Sequence, residues 1–143
     1  MQDCTGWGAP DASAANRPTP ERGLHSVGQM DPSATRFGRD AESRAAAALE
    51  AEGLEILARN VRAGRDEIDL IARDGPVLVL VEVKARTGGF LAADLAFTRA
   101  KRARMLRAFA RLRQEGRVNH VRALRCDLVL VTPTGPVTHL RDV

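Results

Sequence analysis

Aromatic side chains, cysteines and long apolar runs are all scarce in this sequence, and each shortage excludes a class of function. Only 3% of the 143 residues are aromatic, and tyrosine is absent, so the chain lacks the stacking platform of single-stranded RNA readers. Cys4 and Cys126 belong to no Cys-x-x-Cys or Cys/His cluster, which argues against a disulfide or a zinc site. No run approaches the roughly 18 apolar residues of a membrane span. Because residues 1–20 also lack a secretory signal pattern, we expect a cytoplasmic protein with no membrane partner.

Positive charge is present, and it is concentrated after the first 36 residues. Residues 1–36 hold three arginines against four acidic residues, so of the formal net charge of +4 the remainder carries +5. Residues 1–35 have no helical or strand period, and we predict a disordered tail there, followed by one domain over residues 36–143. One hypothesis places the start of translation at Met30. A basic domain is compatible with a polyanionic partner, although excess arginine also serves solubility.

The hydrophobic pattern of residues 36–143 predicts the order αβββαββ. Helices are predicted over residues 39–52 and 98–115, each followed by a glycine, with Thr98 as the N-cap of the second. An Asp74-Gly75 turn is predicted to join the second and third strands as a hairpin. Runs such as VLVLV and DLVLV are apolar on both faces, so the predicted fold class is α/β, with a central mixed sheet covered on each side by a helix. The predicted strands cover residues 54–61, 67–72, 76–85, 124–131 and 136–140.

Three charged side chains interrupt the second and third predicted strands. A turn at Asp74-Gly75 makes Asp69 and Glu82 diagonal neighbours, roughly 7–8 Å apart at the backbone. Because side chains alternate along a strand, Lys84 shares their face. Two carboxylates so close repel each other and have raised pKa values unless a cation lies between them. Mg²⁺ is such a cation, since one or two carboxylates, water and a substrate phosphate can hold it.

The first predicted helix adds a third acid. Glu42 lies in line with Ala45, Ala46 and Leu49 at helical spacing, on the stripe that packs against the sheet, so it needs a partner such as metal-bound water, Lys84 or an arginine. Each feature alone has a structural alternative. An acid-x-Lys triplet is often a solvated edge with an ion pair, and a glutamate within a helix usually faces water. Their joint occurrence favours the catalytic interpretation.

The second predicted helix carries a basic row, whose members follow each other at steps of three or four residues. One interpretation is a contact surface for nucleic-acid phosphates, which gives salt-sensitive affinity without base recognition. The alternative is a solvated helix face, although no acid precedes Glu115 in the helix to pair these charges. A further alternative directs the first-turn lysine of the row into the carboxylate cluster. The basic row comprises Lys101, Arg104, Arg107 and Arg111.

The order and spacing of Glu42, Asp69 and Glu82-Val83-Lys84 resemble the active-site signature of the PD-(D/E)XK nuclease superfamily, whose restriction-endonuclease-like core has the order αβββαβ. More narrowly, the segments GRDAESRAAAAL, EIDLIARDGPVLVLVEVKART, AFTRAKRARML and RCDLVLV are similar to the YraN-like family of small bacterial proteins. The resemblance covers about residues 37–142. The hairpin segment is its most specific part.

The resemblance implies a restriction-endonuclease-like fold and gives the charged residues roles. Asp69 and Glu82 are implied metal ligands, with the Val83 carbonyl as a third, and the implied cofactor is Mg²⁺ or Mn²⁺. Glu42 is implied to bind the metal through water. Lys84 is implied to orient or activate the attacking water, either as a base or as a charge that stabilises the transition state.

Three functions stay open at this point. The leading hypothesis is a metal-dependent endonuclease that hydrolyses phosphodiester bonds in DNA, including structured or branched DNA, since phosphate contacts without base recognition suit shape recognition. The second is a non-catalytic nucleic-acid-binding module of the same fold, and the third is an interaction protein. DNA and RNA are not distinguished, and a homodimer is expected only by analogy with related folds. Two residues depart from the resemblance: Asp66 replaces a glycine, and Cys126 an aromatic residue, that relatives tend to have.

Overall fold

The computed structural model describes residues 32–87 and 92–143, with side chains described for residues 36–87 and 99–143. The predicted order αβββαββ is confirmed. Within the described residues, neither helix combines the length and the hydropathy needed to cross a membrane. The elements are α1 (Pro32–Ala51), β1 (Glu55–Ala63), β2 (Asp66–Asp74), β3 (Val77–Ala85), α2 (Ala92–Gln114), β4 (Ala123–Val131) and β5 (Thr138–Leu140).

The five strands form one mixed sheet in the order β1-β2-β3-β4-β5. Strands β1, β2 and β3 pair antiparallel, β3 and β4 pair parallel, and β5 pairs antiparallel with β4. Parallel strands need a long crossover, and α2 lies in the connection between β3 and β4. The architecture agrees with the predicted central mixed sheet and is consistent with a restriction-endonuclease-like core.

A helix covers each face of the sheet. The predicted stripe of α1 is confirmed, since Ala45, Ala46 and Leu49 are fully buried against β2, β3 and β4. On the other face, α2 buries Met105 and Leu112 among residues of all four longer strands. Both faces of β3 are therefore buried, which explains its unbroken apolar run.

The helix starts differ from the predictions. Helix α1 begins at Pro32, not at residue 39, with a proline at the position where its missing N–H costs nothing. Residues 32–35 of the predicted tail lie in this helix, while residues 1–31, including Cys4 and Met30, lie outside the described part. Helix α2 begins at Ala92, so Thr98 is inside it and the predicted N-cap is wrong. The alanine-rich segment before Thr98 favours helix and accounts for the earlier start.

The hairpin register also differs from the prediction. Asp74 pairs with Val77, so the turn consists of Gly75 and Pro76, and Gly75 adopts a φ of 57° that favours glycine. The predicted turn at Asp74-Gly75 is wrong, and the pairing of β2 with β3 shifts by two residues. A shift of two leaves residues 70–74 on their expected faces, because side chains alternate with a period of two. The alternation breaks at Asp69, since Ile68 packs on the α2 face of the sheet and Leu70 on the α1 face.

Candidate active site

Asp69 and Glu82 lie side by side on adjacent strands. The observed β2–β3 ladder ends at Leu70 opposite Val81, and Asp69 and Glu82 lie immediately beyond this pair. Continuation of the register places them opposite each other, where a diagonal relation was predicted. The main-chain N–H of Val83 donates a hydrogen bond of 2.9 Å to Asp69 Oδ2. This bond fixes the Asp69 carboxylate beside β3, within reach of Glu82.

Glu82 is a buried acid whose charge is poorly compensated. The residue is 6% exposed, and its Oε2 accepts no hydrogen bond from any described residue. Lys101 Nζ lies 3.3 Å from that oxygen, at ion-pair distance but without hydrogen-bond geometry. Burial and the neighbouring Asp69 raise the pKa of Glu82 to about 8, against the opposing effect of Lys101. A proton or a nearby positive charge therefore stabilises Glu82 in this position.

Lys84 lies two residues beyond Glu82 and is also buried, at 9% exposure. Burial lowers the pKa of Lys84, the charges of Arg86 and Lys101 lower it further, and Glu82 opposes them. An ammonium in this environment loses its proton more readily than an exposed lysine. The end of β3 opens into a cavity of about 340 Å³ lined by residues 82–86, so both side chains border a solvent-accessible space.

Glu42 approaches the cluster from α1. It is half-buried on that helix, and its pKa is raised by burial and by the charges of Asp69 and Glu67, while a hydrogen bond with Asn60 and the charge of Arg59 lower it. The structure thus places Glu42 close enough to Asp69 for their charges to interact. Sequence reasoning missed Asn60. An asparagine within a predicted strand is a weak signal in the sequence, and its positive φ of 50° is seen only in the structure.

The members of the basic row of α2 have different partners in the structure. Lys101 points to Glu82, as one of the alternatives held, whereas Arg107 pairs with Asp66 at 3.5 Å and Arg111 with Glu115 at 3.3 Å. The expectation that no acid balances these arginines before Glu115 is wrong for Arg107, because its partner comes from β2. Arg104 is exposed and makes no ion pair with any side chain that the structure describes.

A basic groove lies between the β1–β2 turn and α2. It has a volume of about 580 Å³, and Arg65 was not predicted to belong to it. Since Lys101 lines this groove and also contacts Glu82, the groove leads directly to the acidic pair. The residues that line it are Arg65, Asp66, Glu67, Lys101, Arg104 and Arg107.

The acidic pair fits a hard ion such as Mg²⁺ or Mn²⁺ better than a zinc-type ion. Among the described residues, no group of three or more His, Cys, Asp or Glu side chains is placed to hold a metal, which argues against a site made of side chains alone. Mg²⁺, in contrast, takes one or two carboxylates and keeps several waters. Asp69 and Glu82 would provide the two carboxylates. The Oε2 atom of Glu82 is buried and accepts no hydrogen bond from the described residues, so a bound cation would give it a partner.

A second polar cluster lies away from these residues. Asp127 on β4 is fully buried and accepts hydrogen bonds from Arg125 at 2.8 and 3.0 Å, from the Asp142 N–H at 3.0 Å and from His139 at 2.7 Å. The other ring nitrogen of His139 lies 2.7 Å from Glu52 on α1. His139 thus ties β5 to α1 and β4.

Comparisons with known proteins agree with the resemblance seen in the sequence. A model of the uncharacterised protein family UPF0102 matches residues 41–131. A UPF0102 protein of Sorangium cellulosum is 42% identical over 136 residues, which cover 91% of this chain and 92% of the relative. A UPF0102 protein of Symbiobacterium thermophilum is 45% identical over 111 residues, covering 74% of this chain and 89% of the relative. One of Beutenbergia cavernae is 47% identical over 100 residues, or 66% of this chain and 84% of the relative.

Proposed function

The chain belongs to the UPF0102 family, and we propose that it is a cytoplasmic, metal-dependent nuclease-like protein that hydrolyses phosphodiester bonds in DNA, including structured or branched DNA. The observation that carries this proposal is the pairing of Asp69 with Glu82 at the open end of β3, beside Lys84 and the basic groove. A homodimer, as in related folds, is part of the proposal.

The cost of this arrangement supports a role beyond folding. Two carboxylates on adjacent strands repel each other, and burial raises the pKa of Glu82 to about 8. An apolar residue or a glutamine at either position would fold at lower cost. Strongly perturbed acids that border an open cavity are typical of catalytic and binding sites.

The residues present suit the hydrolysis of a phosphodiester. A divalent cation bound by Asp69 and Glu82, with the Val83 carbonyl as a further ligand, would polarise the phosphoryl oxygens and lower the pKa of a water molecule. The Val83 N–H holds Asp69 in place for this role. Lys84 either accepts a proton from the attacking water, which its lowered pKa favours, or keeps its charge and stabilises the transition state.

The basic groove suits a phosphate backbone. Arg65 on the β1–β2 turn and Arg104 on α2 both line it, and guanidinium groups bind phosphate oxygens in a bidentate manner. Few aromatic residues are available for base stacking. Contacts of this kind give affinity that depends on salt and on the shape of the nucleic acid.

A non-catalytic nucleic-acid-binding module is the second candidate function. It is favoured by the contact between Lys101 and Glu82, which neutralises the acid without any metal. Such a module would keep the basic groove and bind DNA with an affinity that does not respond to Mg²⁺.

Cleavage assays separate the two functions. Single-stranded, duplex and four-way-junction DNA are incubated with Mg²⁺ or Mn²⁺ and with wild type, Asp69→Asn, Glu82→Gln, Lys84→Met or Glu50→Gln, the last being a control because Glu50 is exposed on α1. We expect cleavage by wild type and the control, and a loss of at least about 100-fold in the other variants. Binding without cleavage by every protein would establish the module instead.

A further inference from the structure

The side chain of Lys101 contacts the acidic pair and also lines the basic groove. Its side chain is 19% exposed, with Nζ 3.3 Å from Glu82 Oε2, and the same side chain lines the basic groove. Arg104, one turn further along α2, is exposed and lines the groove without an ion pair to Glu82. Lys101 is thus the member of the basic row that connects the groove with the acidic pair.

The contact between Lys101 and Glu82 is an ion pair without the geometry of a hydrogen bond. Charge-assisted N–H···O bonds are usually about 2.7–2.9 Å long, whereas this separation is 3.3 Å and Oε2 stays without a hydrogen bond among the described residues. Lysine is a compact charge on a flexible stem. A lysine held in this way can leave the carboxylate with only a change of side-chain rotamer.

We propose that Lys101 is an internal counter-ion of Glu82, which occupies the cation position in the metal-free protein and moves into the basic groove when a divalent cation binds. In the groove its ammonium lies beside Arg104 and Arg107, where a backbone phosphate of the nucleic acid becomes its new partner. This inference rests on the proposed function, because it assigns Lys101 a part in loading the same site.

Two consequences follow from this exchange. Without nucleic acid, the cation competes with the ammonium of Lys101, so metal affinity is weakened. A phosphate in the groove stabilises the displaced ammonium and thereby strengthens metal binding, and by thermodynamic linkage the metal strengthens nucleic-acid binding by the same factor.

A double-mutant cycle in the metal-free protein tests the first half of the proposal. Urea unfolding is measured in EDTA at about pH 8.5 for wild type, Lys101→Met, Glu82→Gln and the double variant. We expect Lys101→Met to raise the unfolding equilibrium constant about 10-fold or more with Glu82 present, and to have little effect in Glu82→Gln. An equal effect in both backgrounds overturns the proposal.

Calorimetric titration with Mg²⁺ at the same pH tests the displacement. Lys101→Met should bind Mg²⁺ about 5-fold to 150-fold more tightly than wild type. Arg113→Met, the matched control at an exposed position of α2 outside the groove, should bind as wild type does. A short phosphorothioate duplex should strengthen Mg²⁺ binding to wild type more than to Lys101→Met. Equal responses of these two proteins to the duplex refute the movement of Lys101 to a phosphate.

Asp69→Asn separates this inference from the proposed function. If Asp69→Asn abolishes Mg²⁺ binding while Lys101→Met binds as tightly as wild type, the displacement is refuted and the metal site stands. If Mg²⁺ binding is absent from every protein, or is unchanged in Asp69→Asn, both the metal site and the displacement are refuted.

Discussion

The carboxylate of Asp69 accepts a hydrogen bond of 2.9 Å from the main-chain N–H of Val83, the residue that follows Glu82. The backbone of β3 thus fixes the position of one acid next to the other, and the side chain of Glu82 has to share that position with a negative charge. Because both acids lie on paired central strands, neither can move away to relieve the repulsion. A cation, a proton or an internal ammonium must offset it.

Glu82 makes the stability of the metal-free protein depend on pH. Its pKa is about 8 in the folded protein, because of burial and then Asp69, against 4.5 as the ordinary value. The folded state therefore keeps a proton that the unfolded chain releases. The stability gained from this proton is complete below about pH 4.5 and is lost as pH rises to about 8.

We expect the free energy of unfolding in EDTA to fall by up to about 1.4 kcal/mol per pH unit across this range. In Glu82→Gln the fall should be shallower, with a remainder from Glu42, whose pKa is also raised. Urea unfolding at a series of pH values measures this pH dependence of the free energy of unfolding, with Glu50→Gln as the control. Parallel curves for wild type and Glu82→Gln would mean that Glu82 is ionised in the folded protein throughout.

The basic groove predicts how DNA affinity responds to salt. Each lost phosphate contact reduces the steepness of the plot of log affinity against log salt concentration by about 1. We therefore expect Arg65→Met and Arg104→Met each to reduce this steepness by about 1 in fluorescence anisotropy titrations with duplex DNA. Arg113→Met is the matched control, because Arg113 is exposed on α2 but does not line the groove. An equal change in slope for Arg113→Met would show that affinity follows net charge and not the groove.

The cluster around Asp127 predicts a loss of stability without a loss of binding. Burial raises the pKa of Asp127, but hydrogen bonds from Arg125, Asp142 and His139 outweigh burial and leave the pKa lowered. Asp127→Asn removes the charge that Arg125 and His139 face, and we expect about 3 kcal/mol less stability in urea unfolding at pH 7. DNA affinity of the folded variant should match wild type, because Asp127 lines no part of the groove. An effect on affinity larger than that on stability would contradict this assignment.

Much of the fold and of the site could be predicted because strand and helix periods are robust to small errors. The predicted β2–β3 register was wrong by two residues, yet residues 70–74 stayed on their expected faces, since the side-chain period is also two. The stripe of α1 was correct for a similar reason, because Ala45, Ala46 and Leu49 needed only the helical period.

Contacts between elements distant in sequence could not be predicted. Lys101 falls on one helical row with Arg104 and Arg107, and only the position of α2 over the sheet directs it to Glu82. The pairing of Arg107 with Asp66 and the role of Asn60 depend on the same packing. Periodicity assigns a side chain to a face of its own element, but it does not give the partner that the face meets.

Anomalous diffraction from crystals soaked in Mn²⁺ tests the central claim most directly. We expect a peak about 2 Å from carboxylate oxygens of both Asp69 and Glu82, with Lys101 Nζ withdrawn from Glu82, and no such peak in Asp69→Asn. Crystals of wild type without a peak at this pair, in which Lys101 still contacts Glu82, would contradict the assignment of Asp69 and Glu82 as a metal site.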